Sequence, residues 1–287
     1  MKPEYITKDF LNNFISSALS EDVGEGDHSS LASIPAGAVS AAKLLVKEDG
    51  IIAGIDLAIE IFRHVDPSLQ IETKTTDGER VNHGDIAFFV RGSSRSILTS
   101  ERLVLNCMQR MSAIATKTRH YVELVSGTKT RILDTRKTTP NFRLPEKWAV
   151  TIGGGANHRI GLFDMIMLKD NHIDMAGGIK KAIIQTKDYL RTLNKNIAIE
   201  IETRNLGEVR EVLETGGVDV IMLDNMSPAL MKEAVDIIGG RFKTEASGGI
   251  TEETIRAVAE TGVDYISVGA LTHSVKSMDL SLKAMKP

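Results

Sequence analysis

Six short apolar or β-branched runs follow one another along the second half of the chain: TRILDT, DMIMLK, NIAIEI, VDVIML, RFKTEA and VDYISV. Helical stretches separate them, and each run passes straight into polar or small residues, in order DTRK, KDNH, EIET, LDNM, EASGG and SVGA. Glu202, Asp224, Ser247 and Gly269 stand at the C-terminal ends of four of these runs, 22, 23 and 22 residues apart. A strand, a loop and three turns of helix fill such a period, which predicts βα units closed into an α/β barrel. A doubly wound open sheet also alternates β and α. It would carry GxGxxG after an early strand and gather its site at one switch point, whereas here polar residues cap nearly every strand. Six to seven strands predict an incomplete barrel of about seven, spanning residues 113–274.

Residues 1–112 have a different rhythm. Phe10, Phe14, Ile15 and Leu19 share one face of an expected helix over 5–19, followed by the polar loop EDVGEGDHSS. A strand (AAKLLVKE), a helix (IDLAIEIFRHV) and two strands (SLQIETKT and DIAFFVRG) come next, with turns at Asp49-Gly50 and Asp77-Gly78. Strands and helices without regular alternation predict an α+β open sandwich, onto which the tail 275–287 is expected to pack back. A long helix without internal Gly or Pro, from about Ser96 to Val125, joins the two halves.

Composition narrows the class. With 42% hydrophobic and 25% charged residues the chain reads as globular, and a net charge of −3 argues against a general nucleic-acid binder. There is no 18-residue apolar span and no signal-like apolar run at the N-terminus, so the expectation is a cytoplasmic protein. Cys107, the only cysteine, lies in the apolar stretch LVLNCMQRM and reads as a small core residue.

In a barrel the chemistry sits at the C-terminal strand ends. The residues placed there are Arg136 and Lys137; Lys169, Asp170 and His172; Glu202; Asp224 and Asn225; Ser247-Gly248-Gly249; and Gly269-Ala270. The late Gly-rich turns can present backbone N–H groups to a phosphate. His158 and Arg159 precede a strand, so they are expected on a loop that folds over the mouth. Arg136, Lys137, Arg159 and Lys169 on one rim would repel each other unless they faced an anion, which predicts a multiply anionic substrate. Glu202 and Asp224, on adjacent strands, could hold a divalent cation, bind sugar hydroxyls, or pair with the lysines. His158 and His172 lack the helical spacing of a zinc pair, and no GxSxG or Cys-His arrangement suggests covalent catalysis. A phosphorylated sugar with an acidic partner fits this set; the rival from another class is a non-catalytic barrel that binds a phosphorylated ligand.

DTRKTTPNFRLPEKWAV, GGGANHRIGL and MLKDNHI, then IEIE, IMLDNM, EASGGI and VGALTHS, closely resemble the quinolinate phosphoribosyltransferase family. EDVGEGDHSS resembles that family's early ED-G-GD loop, and SERLVLN its ERxxLN helix. The resemblance implies an N-terminal sandwich, an incomplete barrel, and a homodimer with shared active sites, hexamers being left open. The implied reaction transfers phosphoribosyl from phosphoribosyl pyrophosphate to quinolinate, with Mg2+ and decarboxylation, giving nicotinate mononucleotide. By the same resemblance Arg102 reaches the partner's quinolinate. Thr135, Arg136, Lys137, His158, Arg159 and Lys169 surround the carboxylates and pyrophosphate. Glu202 and Asp224 take the ribose hydroxyls and magnesium, with Lys137, Lys169, Glu202 and Asp224 as the catalytic set. Ser247, Gly248, Gly249, Val268, Gly269 and Ala270 cradle the 5′-phosphate. His172 is the least firmly placed of the group, with bracing of the loop as its other role. A paralogous group found with molybdate transport genes lacks the Lys-Asp that precedes Asn-His here. Asn141 stands where the family has Gly, a change that a turn with positive φ tolerates.

Overall fold

The structure is a computed structural model, and it describes residues 2–285. The Thr7 hydroxyl accepts the Phe10 N–H at 3.1 Å and starts α1 (Lys8–Val23). Asp27 caps α2 (His28–Ser33) in the same way, and burial of alternate residues then marks β1 (Val39–Val46). β2 (Gly50–Ile51) pairs with β4 (Arg80–Val81), so Gly50 opens a strand where a turn was expected. Between them lie α3 (Ile55–Val65) and β3 (Gln70–Thr73). α3 buries Ile55, Leu57, Ile61 and Phe62, and the Phe62 ring meets Phe88 edge-on at 5.8 Å. Each such side chain stabilises the fold by roughly 1.5–3 kcal/mol, which outweighs the cost of the half-buried Asp77 that caps the helix. β5 (Ile86–Ser93) runs directly into α4 (Ser94–Leu124).

α4 is one unbroken helix across residue 112, and this decides how the chain divides. One compact unit comprises Met1–Arg119, Thr138–Gly154 and Ala270–Pro287; the other comprises His120–Lys137 and Gly155–Gly269. The expected split at 112/113 therefore falls inside a helix, and residues 113–119, 138–154 and 270–274 cluster with the first unit. α5 (Arg143–Ile152) is held there by Glu146, a fully buried carboxylate. It accepts from Arg110 Nε at 3.0 Å and from the Thr139 backbone N–H at 3.0 Å. Asn141, at φ +61°, makes the turn that leads into α5.

The second unit holds β6 (Arg131–Leu133), β7 (Met165–Leu168), α6 (Asp170–Ala176), α7 (Ile179–Thr192), β8 (Ala198–Thr203) and α8 (Leu206–Thr215). It continues with β9 (Val220–Asp224), α9 (Pro228–Ile238), β10 (Lys243–Ser247), α10 (Ile255–Ala259) and β11 (Tyr265–Ser267). α11 (Ala270–His273) and β12 (Leu280–Ala284) then return to the first unit. There the order is β12-β1-β5-β3, all antiparallel, with Leu282 opposite Leu44. Residues 286 and 287 of the tail lie outside the described residues.

The six parallel strands are ordered β7-β8-β9-β10-β11-β6. Among the described residues six of these strands are regular. The seventh position is a single parallel bridge from Leu133 to Ala156, because the polar groups of residues 157–158 turn to side chains instead of extending a ladder.

Candidate active site

Period-two alternation gives each barrel strand two unlike faces. On β8, Ile199, Ile201 and Thr203 are buried on one face, while Glu200 and Glu202 occupy the other. Parallel register carries that second face across the sheet. Glu202 lies opposite Met222, Met222 opposite Glu245, and Asp224 opposite Ser247. The last residues of these strands therefore converge at one end.

At that end Lys169 Nζ donates to Glu202 Oε1 at 2.7 Å, and the Asp170 N–H donates to Oε2 at 3.2 Å. Of the alternatives open to Glu202, the structure shows pairing with lysine. His172 Nδ1 accepts the Lys169 N–H at 3.0 Å, so His172 braces the loop. Asp224 is half-buried and accepts from Asn225 Nδ2 at 2.8 Å. Burial first, and then the Glu202 and Asp170 charges, push its carboxyl above the usual range; Asn225 and Lys169 oppose the shift.

The β9 and β10 ends are knitted together. The Asn225 N–H donates to the Ser247 carbonyl at 2.9 Å, with Asn225 itself at φ +54°. A Cβ on Gly248 would lie 2.2 Å from Asn225 Oδ1, so no other residue fits, and Gly248 and Gly249 both hold positive φ. Val268 is buried and its N–H donates to Leu133 O at 2.9 Å, which ties the end of β11 to the end of β6.

His158 and Arg159 are placed differently from the expected lid. Ala156 pairs with Leu133 of β6 in a single parallel bridge, and residues 157–159 continue from it outside any strand, so the run is tied to the end of β6. Asp134, fully buried, fastens this run: it accepts the His158 N–H at 2.9 Å and Asn157 Nδ2 at 2.6 Å. His158 is only 8% exposed, with Nε2 at 2.8 Å from Glu200 Oε2 and 3.5 Å from Glu245 Oε2. Arg159 reaches along β7, where its Nη1 donates to the Met165 carbonyl at 3.2 Å. Burial and then the neighbouring Arg136 charge lower its pKa, partly offset by Glu200, Asp164 and Glu202.

Arg136, Arg159, Lys169, Glu202, Asp224 and Ser247-Gly248 thus form one connected group. Lys137 is exposed on the adjoining loop, its N–H held by Thr135 Oγ1 at 3.1 Å. Arg102 is exposed on α4 and, like Ala270 at the start of α11, belongs to the first unit. Strand-end reasoning missed Asp134, Asn157, Glu200 and Glu245. The available signal was two glutamates inside apolar runs, each two residues before a picked position, where period two places them on the same face. Cys107 is buried, and burial pushes its thiol up to about 12, so it has no nucleophilic role.

The mouth offers two guanidiniums that disfavour each other, a lysine, a glycine cradle and two facing carboxylates. Such a set binds a substrate with several anionic groups and has oxygen donors to spare for hydroxyls or a hard cation.

Comparison with known proteins agrees with this chemistry. Residues 27–112 match the family model for the quinolinate phosphoribosyl transferase N-terminal domain, and residues 114–283 the one for its C-terminal domain. The chain is 50% identical to quinolinate phosphoribosyltransferase [decarboxylating] 1b of Nicotiana tabacum, over 98% of this chain and 84% of that protein. It is 49% identical to the chloroplastic nicotinate-nucleotide pyrophosphorylase [carboxylating] of Arabidopsis thaliana, with the same coverage. The crystal structure of NadC from Streptococcus pyogenes superposes with a TM-score of 0.91 at 40% identity, covering 98% of this chain and 99% of that one. Two family domains in order, half the residues shared with a curated relative, and a rim built for anions lead to one conclusion: this chain belongs to the quinolinate phosphoribosyltransferase family.

Proposed function

We propose that the protein transfers the phosphoribosyl group of phosphoribosyl pyrophosphate to quinolinate with loss of CO2, forming nicotinate mononucleotide and pyrophosphate for pyridine nucleotide synthesis. The observation that carries this reading is the Arg136–Arg159 pair beside Lys169. Burial and then the Arg136 charge disfavour the Arg159 guanidinium, and a ligand bearing two carboxylates would offset both.

The residues supply positions and charges. Departure of pyrophosphate breaks the C1–O bond of the ribose and builds positive charge at C1, beside the Glu202 and Asp224 carboxylates. Lys137, Lys169 and Arg136 offset the charge of the leaving group. The pyridine nitrogen forms the new bond to C1, and the ring becomes cationic. It then accepts the electron pair left when the C–C bond to the adjacent carboxylate breaks, and that ring carbon takes up a proton. No protein nucleophile is required, so orientation and preformed charge account for the rate. Ser247, Gly248, Gly249, Gly269 and Ala270 receive the 5′-phosphate in this proposal, Val268, its N–H held by Leu133, acts there by positioning Gly269, and Thr135 holds the Arg136-Lys137 loop. His158, with little exposed surface, acts mainly by holding Arg159.

Glu202 and Asp224 fit Mg2+: both are hard oxygen donors at adjacent strand ends, and burial and then the Glu202 charge raise the Asp224 carboxyl, a cost that a cation would offset. When bound with phosphoribosyl pyrophosphate, magnesium would neutralise phosphate charge. Lys169 pairs with Glu202, so an ion held by Glu202 competes with that ion pair. The assembly proposed is a homodimer in which Arg102 serves the partner's site. The compartment proposed is the cytoplasm, in keeping with a single buried thiol; among the described residues no helix is long and apolar enough to cross a membrane.

The test is incubation of the purified protein with quinolinate, phosphoribosyl pyrophosphate and Mg2+. The expected products are nicotinate mononucleotide, pyrophosphate and CO2 in equal amounts. Formation of none of them with well-folded protein would remove the proposal and leave the non-catalytic phosphate binder.

A further inference from the structure

Beneath the proposed substrate rim lies a cluster of three buried groups, His158, Glu200 and Glu245, with ligating atoms within 4.8 Å of one another, and the two glutamates have no role in the proposed reaction. Each glutamate is 1% exposed, and the two carboxyls interact directly. Burial raises both carboxyls, and the Glu200 charge raises Glu245 further. Buried glutamates are costly enough that their presence inside apolar strands calls for a partner.

A metal is the first reading to consider, and the histidine excludes it. Nδ1 of His158 accepts the Arg159 backbone N–H at 2.8 Å, so Nδ1 carries no proton. The ring proton therefore sits on Nε2 and points to Glu200 Oε2, 2.8 Å away. A metal at Nε2 would move the proton to Nδ1, where it would meet the Arg159 N–H head-on. The same geometry opposes an imidazolium. His158 is a neutral ring in one fixed tautomer, and both nitrogens are engaged within the chain.

We propose that Glu200, backed by Glu245, is a positioning residue: it fixes the His158 tautomer, and His158 in turn holds the Arg159 backbone so that its guanidinium reaches the dicarboxylate side of the site. The chain of contacts is continuous, from Glu200 Oε2 to His158 Nε2, through the ring to Nδ1, and on to Arg159 N and its Nη1–Met165 anchor on β7. The direction of effect follows. Loss of the Glu200 acceptor strands a buried N–H, frees the ring to flip, and loosens Arg159, while the Ser247-Gly248-Gly249 cradle at the end of β10, two strands from β8, keeps its tie to Asn225.

The kinetic arm rests on the quinolinate reading; a spectroscopic arm does not. In Glu200→Gln the amide oxygen still accepts from Nε2, and the KM for quinolinate should stay within about threefold of wild type. In Glu200→Leu it should rise about tenfold or more, with the KM for phosphoribosyl pyrophosphate changed less than about twofold. 15N NMR of the His158 ring should show the Nε2–H tautomer in ligand-free wild type and Glu200→Gln, and not in Glu200→Leu. If Glu200→Leu fails to fold, the wild-type tautomer and the Glu200→Gln kinetics still decide. An Nδ1–H tautomer or an imidazolium in wild type overturns the proposal, as does an unchanged quinolinate KM in folded Glu200→Leu. Wild type inactive with quinolinate but showing the Nε2–H tautomer would fault the functional reading alone.

Discussion

At Gly248 the chain has room for a hydrogen and nothing larger, whereas at Gly249 the space beside the Cα is open and only φ +60° resists a side chain. The two neighbours should respond differently to alanine. Gly249→Ala costs a left-handed conformation, roughly 1–2 kcal/mol. Gly248→Ala also displaces Asn225 and with it the Asn225–Asp224 bond, so the KM for phosphoribosyl pyrophosphate should rise at least about tenfold more than in Gly249→Ala. Steady-state kinetics on the pair checks this, and equal effects would mean that Asn225 yields freely. Residues of this kind were legible in the sequence because strand ends carry polar and glycine residues where a barrel puts its site. Glu202, Asp224 and Lys169 were found that way and do meet. Glu200 and Glu245 were not, since a reading that stops at strand ends passes over charges inside a strand, even when period two brings them to the same face.

Secondary elements were legible where apolar spacing decides them. The helix expected from IDLAIEIFRHV is α3, residue for residue, and each of the six barrel runs overlaps its strand, β8, β9 and β10 continuing one or two residues beyond the run. The 155–159 segment was not, because a single bridge at Ala156 has no periodicity to read, and its order comes from Asp134, a tertiary partner. α3 also provides a test of electrostatics at its N-terminus. Asp77 Oδ1 accepts the Ile55 N–H at 2.8 Å, yet burial pushes its carboxyl up to about 6 from 3.8. A raised carboxyl binds its proton more tightly folded than unfolded. Its stabilising contribution is therefore complete below about pH 4 and is lost as pH rises through about 6. Asp77→Asn keeps an acceptor and cannot ionise. The Tm of wild type minus that of Asp77→Asn should fall between about pH 4 and about pH 7. A constant difference across that range would show that the carboxyl titrates normally. Asp77→Ala, with no acceptor, should lose a further 1 kcal/mol or so at every pH.

Across the whole molecule, the βα period of about 22 residues was the strongest signal; the boundary read at 112/113 matches the division of the two family models, while α4 runs unbroken through it. A helix shows where it starts and stops but not which neighbours its two ends will pack against. Arg102, exposed on α4, is assigned to the partner's site in the proposed dimer. Arg102→Ala and Lys169→Ala should each be inactive alone. After subunit exchange in equal mixture, half of the dimers are mixed and each has one intact site, so roughly a quarter of wild-type activity should return. No recovery despite proven exchange would confine the site to one chain.

The central claim is that the Arg136, Arg159 and Lys169 rim is built for two carboxylates on one ring. The most direct measurement compares kcat/KM for quinolinate and for nicotinate, which lacks the second carboxylate, at saturating phosphoribosyl pyrophosphate and Mg2+. A charge-assisted hydrogen bond inside a desolvated site is worth roughly 1.5–3 kcal/mol, so quinolinate should be preferred by about tenfold to a hundredfold or more. Equal kcat/KM values for the two acids would contradict the account.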